Sequence, residues 1–195
     1  MEQTLRGVRV AVIAANGFDL TELMETKQML EAAGAATFLL SSTGTTVQPG
    51  TDKANMPEEG SIAPTFTATS DEAPGAVLAT DGDLTNCDPS EYDAVYIAGG
   101  RASTATLQND AQAISLLQGI NGAGKPIAAG RDTDALLGAA GATNAVSGAV
   151  SDAGAFAHRV IEAFGQGASP SARQTGDSGD TLATDEQGLS GGRGE

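Results

Sequence analysis

The sequence predicts an α/β fold, a doubly wound and mainly parallel sheet with helices on both faces. Short, nearly continuous apolar runs recur at residues 8–14, 36–41, 94–98 and 125–130, as expected of parallel strands buried on both faces. Segments with apolar residues at helical spacing alternate with them. Asn16-Gly17, Gly99-Gly100 and Gly130 mark strand ends with glycine. In such a sheet these ends lie side by side at the carboxyl edge, where ligands bind.

Residues 8–14 form the first strand, and Asn16-Gly17 turns the chain. Leu20, Leu23, Met24, Leu30 and Ala33 then repeat with helical spacing. Asp19 precedes this helix with Glu22 three residues on, as in a capping box, and Gly34 stops it. Residues 36–41 are the second strand, so the first β-α-β unit has a right-handed crossover. Residues 42–75 hold four of the seven prolines and the Glu58-Glu59 pair. They read as an irregular excursion, with an edge hairpin over 62–69 and a further short strand at Val77-Leu78-Ala79.

Residues 94–98 form the next strand, ending in Gly99-Gly100-Arg101. A helical segment follows, clearest over 111–118, where Asp110 is placed to cap and Ile114, Leu116 and Leu117 are apolar. Lys125 opens a strand that breaks at Gly130 into Arg131-Asp132, and a helix is expected from Asp132 to Ala139. Residues 144–150 read as a last strand, and 155–164 as a last helix with Phe156, Val160, Ile161 and Phe164 on one side. One domain over 1–165 is expected, followed at 166–195 by an acidic, Gly/Ser-rich tail too poor in apolar residues to order itself.

The chain carries 25 acidic against 10 basic residues, a net charge of −15. Such a surface repels phosphate backbones and anionic lipid, so neither nucleic acid nor a membrane is expected as a partner. The same balance fits adaptation to concentrated salt, with simple solubility as the plainer alternative. Cys87 is the only cysteine, which rules out an intrachain disulfide and a thiolate metal cluster. No metal or other cofactor is expected. Arg9 interrupts the first apolar stretch and no small-residue cleavage site follows, so a signal peptide is not expected and the cytoplasm fits best. No apolar run approaches the roughly 20 residues that span a bilayer.

Three blocks together, VRVAVIAANGFDLTELMETKQMLEAAG at 8–34, YDAVYIAGGR at 92–101 and KPIAAG at 125–130, resemble the ThiJ/PfpI superfamily, which is class I glutamine-amidotransferase-like. The resemblance covers roughly residues 7–165 with a gapped middle. It implies a flavodoxin-like sheet, association into a homo-oligomer, and a nucleophile elbow in which Cys, followed by His and Gly, is held near a Glu of the first helix. Members include cysteine-dependent hydrolases, proteases, glyoxalases and chaperone-like stress proteins. Carried over position by position, the Glu falls on Glu22 and the glycine turn on Gly99 and Gly100. The Cys falls on Arg131 and the His on Asp132.

Arginine stays protonated and cannot act as a nucleophile. The departure resembles the carboxy-terminal domain of large-subunit catalases, which has this fold, lacks the cysteine and carries a Gly-Asp-type sequence after its Lys-Pro-Ile-Ala strand. The segment Ala157-His158-Arg159-Val160 also resembles the end of that domain. Together these imply a non-catalytic domain, with a role in oxidative stress resting on resemblance alone. The alternative is a hydrolase or glyoxalase-like enzyme using Glu22 and an unidentified nucleophile.

Two readings of the edge stay open. Arg131, with backbone N–H groups near Gly100 and Asp132, could bind a small anion or polar metabolite in a pocket that includes Gly17, Glu22, Gly99, Arg101 and Gly130. Alternatively, Arg131 and Glu22 form a salt bridge that plugs a vestigial site. Asp132 and Asp134 are expected to complement the helix dipole. Glu22 with Asp132 could serve as acid and base, but no spacing marks a metal site. Cys87 is expected as a small core thiol toward the amino end of the sheet. His158 is expected at a surface or interface, and Gly99-Gly100-Arg101 is not a dinucleotide fingerprint.

Overall fold

β1, Arg9–Ala14, is buried at five of its six residues, which only an inner strand covered on both faces allows. A computed structural model describes residues 4–42, 44–50, 77–147 and 153–167. In chain order β1 is followed by α1 (Leu20–Ala32), β2 (Ala36–Ser41), β3 (Thr46–Val47), β4 (Leu78–Ala79), β5 (Gly82–Asp83) and β6 (Ala94–Ile97). Then come α2 (Arg101–Gln108), α3 (Ala111–Gly122), β7 (Ile127–Ala129), α4 (Asp134–Ala140), β8 (Val146–Ser147) and α5 (Ala153–Gly167). The main sheet has six strands in the order β5-β2-β1-β6-β7-β8, and each of its pairings is parallel. Both outermost strands are two residues long.

The period-2 alternation of strand side chains sorts the core into two layers. Val10, Val12, Ala14, Tyr96 and Ala128 pack with Leu23 and Leu30 of α1 and with Phe156 and Phe164 of α5. Ala11, Ile13, Val95, Ile97 and Ala129 pack with Leu107, Leu117 and Leu136 of α2, α3 and α4. This is the flavodoxin-like, doubly wound sheet that the sequence predicts. Arg9, a charge at the foot of a buried strand, lays its guanidinium 4.4 Å from the centroid of Phe38 and 5.7 Å from that of Tyr92, so that two ring faces receive the cation.

Several details differ from the sequence reading. The helical segment after β6 is two helices, because the Asp110 side chain accepts from Gln112 N and Ala113 N and restarts the helix after Asn109. β3, inside the expected excursion, pairs antiparallel as a separate ribbon with β4, which is the short strand expected at Val77-Leu78-Ala79, and the unexpected β5 adds an edge beside β2. Strands of two residues have no period to read. The hairpin expected over 62–69 lies outside the described residues, as does the chain from 168 onward. α5 continues through Gly167, past the expected end of the domain at 165. Of the strand expected over 144–150, residues 144–147 are described, and only the last two, β8, are strand.

Contacts at both ends of the strands hold the sheet in register. Gly17 N donates to Gln48 O at 2.7 Å, Gly50 N donates to Phe18 O at 2.9 Å, and Gln48 N donates to Asn16 Oδ1 at 2.9 Å. The residues after β3 therefore lie along the loop that follows β1. At the opposite end of β7, Lys125 Nζ donates to Pro89 O at 3.1 Å and Tyr92 O at 2.6 Å. That lysine pins the start of β7 to the turn before β6. Among the described residues, no helix is long and apolar enough to cross a membrane.

Candidate functional site at the carboxyl edge

α1 begins where β1 ends, so its first turn faces the ends of β6 and β7. Asp19 is its N-cap, and Oδ1 accepts from Glu22 N at 3.1 Å, satisfying one of the free N–H groups at the helix start. The reciprocal half of a capping box does not form. Asp19 N donates instead to Gly99 O at 2.8 Å, which leaves the Glu22 carboxylate free to turn inward.

Glu22 is 5% exposed. Its Oε1 accepts from the Tyr96 hydroxyl at 3.1 Å and from Gly99 N at 3.2 Å, and its Oε2 accepts from Arg131 N at 3.2 Å. Tyr96 can reach it because even-numbered β6 residues face the α1 side. Arg131 Nε stands 3.5 Å from Glu22 Oε2, and Arg131 Nη2 pairs with Asp19 Oδ2. Asp19 is 1% exposed, whereas the Arg131 side chain is 41% exposed. One surface guanidinium thus covers two buried carboxylates.

Glycines make this arrangement possible. A β-carbon on Gly130 would overlap Glu22 Oε1 and come within 2.5 Å of Gly99 N. One on Gly99 would lie 2.6 Å from Arg131 N and 2.7 Å from Glu22 Oε1. The carboxylate therefore occupies space that side chains from the two strand ends would otherwise fill.

Burial pushes the Glu22 carboxyl above its ordinary value of 4.5. Hydrogen bonds from Arg131 N, Tyr96 and Gly99 N oppose this, and the Asp132 charge adds to it. Burial, and then the Glu22 charge, hold the Tyr96 hydroxyl well above its usual range. Because folding tightens the hold of Glu22 on its proton, the folded state binds more protons between the ordinary and the raised value. Stability contributed there falls as pH rises through that window. Glu22→Gln should flatten this: the wild-type minus variant stability, from urea unfolding at about pH 4 to 8, should slope downward. A level difference would reject it.

Asp132 has φ 64°, the one positive value at a non-glycine residue among those described. It lies outside α4, which starts at Asp134 with Thr133 as N-cap and no side-chain cap bond. The expected helix start at Asp132, and its role in the first turn, are therefore corrected; Asp134 alone holds a first-turn position. Thr133 Oγ1 is drawn back to Gly130 O at 2.7 Å, and the left-handed turn at Asp132 makes that return possible. Aspartate tolerates this conformation better than most residues, and glycine better still. Asp132→Gly should raise stability by about 0.5–1 kcal/mol and Asp132→Val lower it by about 1–2 kcal/mol, read from denaturant midpoints. Equal midpoints would contradict the strain.

Of the remaining residues, Gly17 (φ 90°) and Gly100 (φ 117°) shape the loops between β1, β6 and α2. Arg101 is exposed at the start of α2, and among the described residues no hydrogen bond or ion pair joins it to Glu22. His158 is exposed on α5. Cys87 is half-buried against the α3 side of the core, and burial pushes its thiol up, which disfavours the reactive thiolate. Among the described residues, no group of three or more His, Cys, Asp or Glu is placed to hold a metal. Asp19 and Tyr96 are the site residues that sequence reasoning missed. Asp19 was legible only as a cap, and Tyr96 only as a strand residue.

The sequence matches the DJ-1/PfpI family over residues 8–150. Among solved structures, oxidized Toxoplasma gondii DJ-1 is 19% identical with a TM-score of 0.60, covering 80% of this chain and 89% of its own. A ThiJ/PfpI domain protein from Brachyspira murdochii is 16% identical, TM-score 0.59, over 83% of this chain and 98% of its own. A two-domain protein from Anabaena variabilis, with DJ-1/ThiJ/PfpI-like and ferritin-like domains, is 20% identical, TM-score 0.53, over 68% of this chain. The chain spans 33% of that protein's length. A search of curated proteins found no match. The structural likeness, at such identities, speaks to fold; the family match covers most of the sequence, and by it this chain belongs to the DJ-1/PfpI family.

Proposed function

We propose that this protein is a DJ-1/PfpI-family domain without thiol catalysis, its reaction centre filled by the Asp19–Arg131–Glu22 cluster. The observation that carries the reading is Gly130. A β-carbon there would run into the Glu22 carboxylate, so the carboxylate fills the space beside Arg131, the position onto which the resemblance carries the nucleophile. Arginine cannot attack, and its side chain caps the space. The likeness of residues 125–132 to the cysteine-free domain of large-subunit catalases supports the same reading. Small-anion binding fits less well, because Arg131 is already matched by Asp19 and Glu22 and has Asp132 beside it.

An enzyme using Glu22 as acid or base is the second reading, favoured by the raised proton affinity of that carboxyl. Turnover of methylglyoxal, a peptide and an activated ester separates the two. The proposal expects no rate above buffer that depends on Glu22. Turnover abolished by Glu22→Gln and insensitive to thiol alkylation would establish the enzyme. The proposal extends to a cytoplasmic, salt-adapted homo-oligomer with a stress-related role, supported by the acidic composition and the family resemblance. A melting temperature that fails to rise with added salt would remove the salt adaptation.

A further inference from the structure

Charged and titratable groups meet Glu22 from several elements. Asp19 caps its own helix, Tyr96 reaches it from β6, and Arg131 with Asp132 approaches from the turn after β7. Thr26, one turn further along α1, stands behind Tyr96. α5 approaches through the ring of Phe156, 6.1 Å from that of Tyr96. One guanidinium therefore serves two carboxyl groups, both almost fully buried. Its two anchors are unequal. The Asp19 contact is a direct hydrogen bond from Nη2, whereas Glu22 Oε2 lies 3.5 Å from Nε, an ion pair that depends on charge more than on a shared hydrogen.

We propose that the Glu22–Arg131 contact is a proton-operated latch over the carboxyl edge of the sheet. With Glu22 ionised the guanidinium is held at two points, Asp19 Oδ2 and Glu22 Oε2; with Glu22 protonated it is tethered by Asp19 alone. Oε2 accepts one hydrogen bond, from Arg131 N, where Oε1 accepts two, from Tyr96 and Gly99, so the incoming proton goes to Oε2. Losing that charge removes the attraction to Nε without touching the Nη2 anchor. Burial of Glu22, which already favours the neutral form, sets the latch to respond above the ordinary carboxylate range. The inference uses the cluster of the proposed function, but it does not depend on the absence of turnover.

The test follows two nuclei in the full chain by NMR from about pH 4 to pH 8. The Glu22 carboxyl carbon and the Arg131 Nε nitrogen should titrate with one shared midpoint while the backbone amide spectrum keeps its folded dispersion. Glu22→Gln should abolish the Arg131 inflection. Tyr96→Phe, which removes one donor to the ionised carboxylate, should move both midpoints upward together and serves if the first variant does not fold. An Arg131 signal indifferent to pH, one whose inflection survives Glu22→Gln, or midpoints that move apart in Tyr96→Phe would each overturn the latch. Failure of the proposed function would register separately, as Glu22-dependent turnover.

Discussion

Gly130→Ala should lower the free energy of unfolding by about 3–5 kcal/mol, although it adds a single methyl group. The new carbon would overlap Glu22 Oε1 and crowd Gly99 N at 2.5 Å, and neither neighbour can yield cheaply. Gly99 N is backbone at the end of a central strand. Glu22 is backed by Tyr96, which is 0% exposed. Either β7 shifts against β6, loosening the pairings from Val95↔Ile127 to Ile97↔Ala129, or the carboxylate swings away and loses the bonds to Tyr96, Gly99 and Arg131. Urea unfolding measures the loss. The double variant Glu22→Ala/Gly130→Ala should lose less than the two single changes added together, since the overlap with Glu22 exists only with both groups present and only the crowding at Gly99 N remains. A Gly130→Ala loss below about 1 kcal/mol would mean that the edge is looser than described.

Arg131→Met should cost about 2–3 kcal/mol. Removing one partner of a fully buried pair costs about 3–5 kcal/mol, and partial exposure of the arginine reduces this by screening. The loss comes from Asp19, a carboxyl 1% exposed that would be left without its cation. Asp19→Asn in the Arg131→Met background should recover most of it, because asparagine removes the charge yet still accepts from Glu22 N as an N-cap. The same Asp19→Asn change made alone should destabilise. If Arg131→Met stays within about 0.5 kcal/mol of wild type, the arginine is an ordinary surface residue.

How much the sequence shows depends on how local the cause is. The strands with continuous apolar runs and the helices with caps, such as α1 behind Asp19, were legible because their signals lie within a few residues. The split between α2 and α3 was half visible: Asp110 was recognised as a cap, but the helix before it has few large apolar residues. At the site, Glu22 and the glycine-marked strand ends were found. The bond between Arg131 and Asp19 was not, because it joins residues 112 positions apart and depends on how the strand ends align. The positive φ of Asp132 was hidden for a similar reason. It follows from the return of Thr133 to Gly130, and aspartate is as common in caps as in left-handed turns.

The shortness of β5 and β8 bears on how molecules of this protein meet one another. An exposed strand is a template on which another chain can add main-chain hydrogen bonds, and a long flat one invites open-ended stacking. Among the described residues, the rim strands of the main sheet are two residues each, Gly82–Asp83 and Val146–Ser147, and the first of these carries a charge. A neighbour adding to either strand would gain few main-chain bonds, too few to offset the lost freedom of two bodies. Growth by sheet extension from the described rim strands is thereby discouraged.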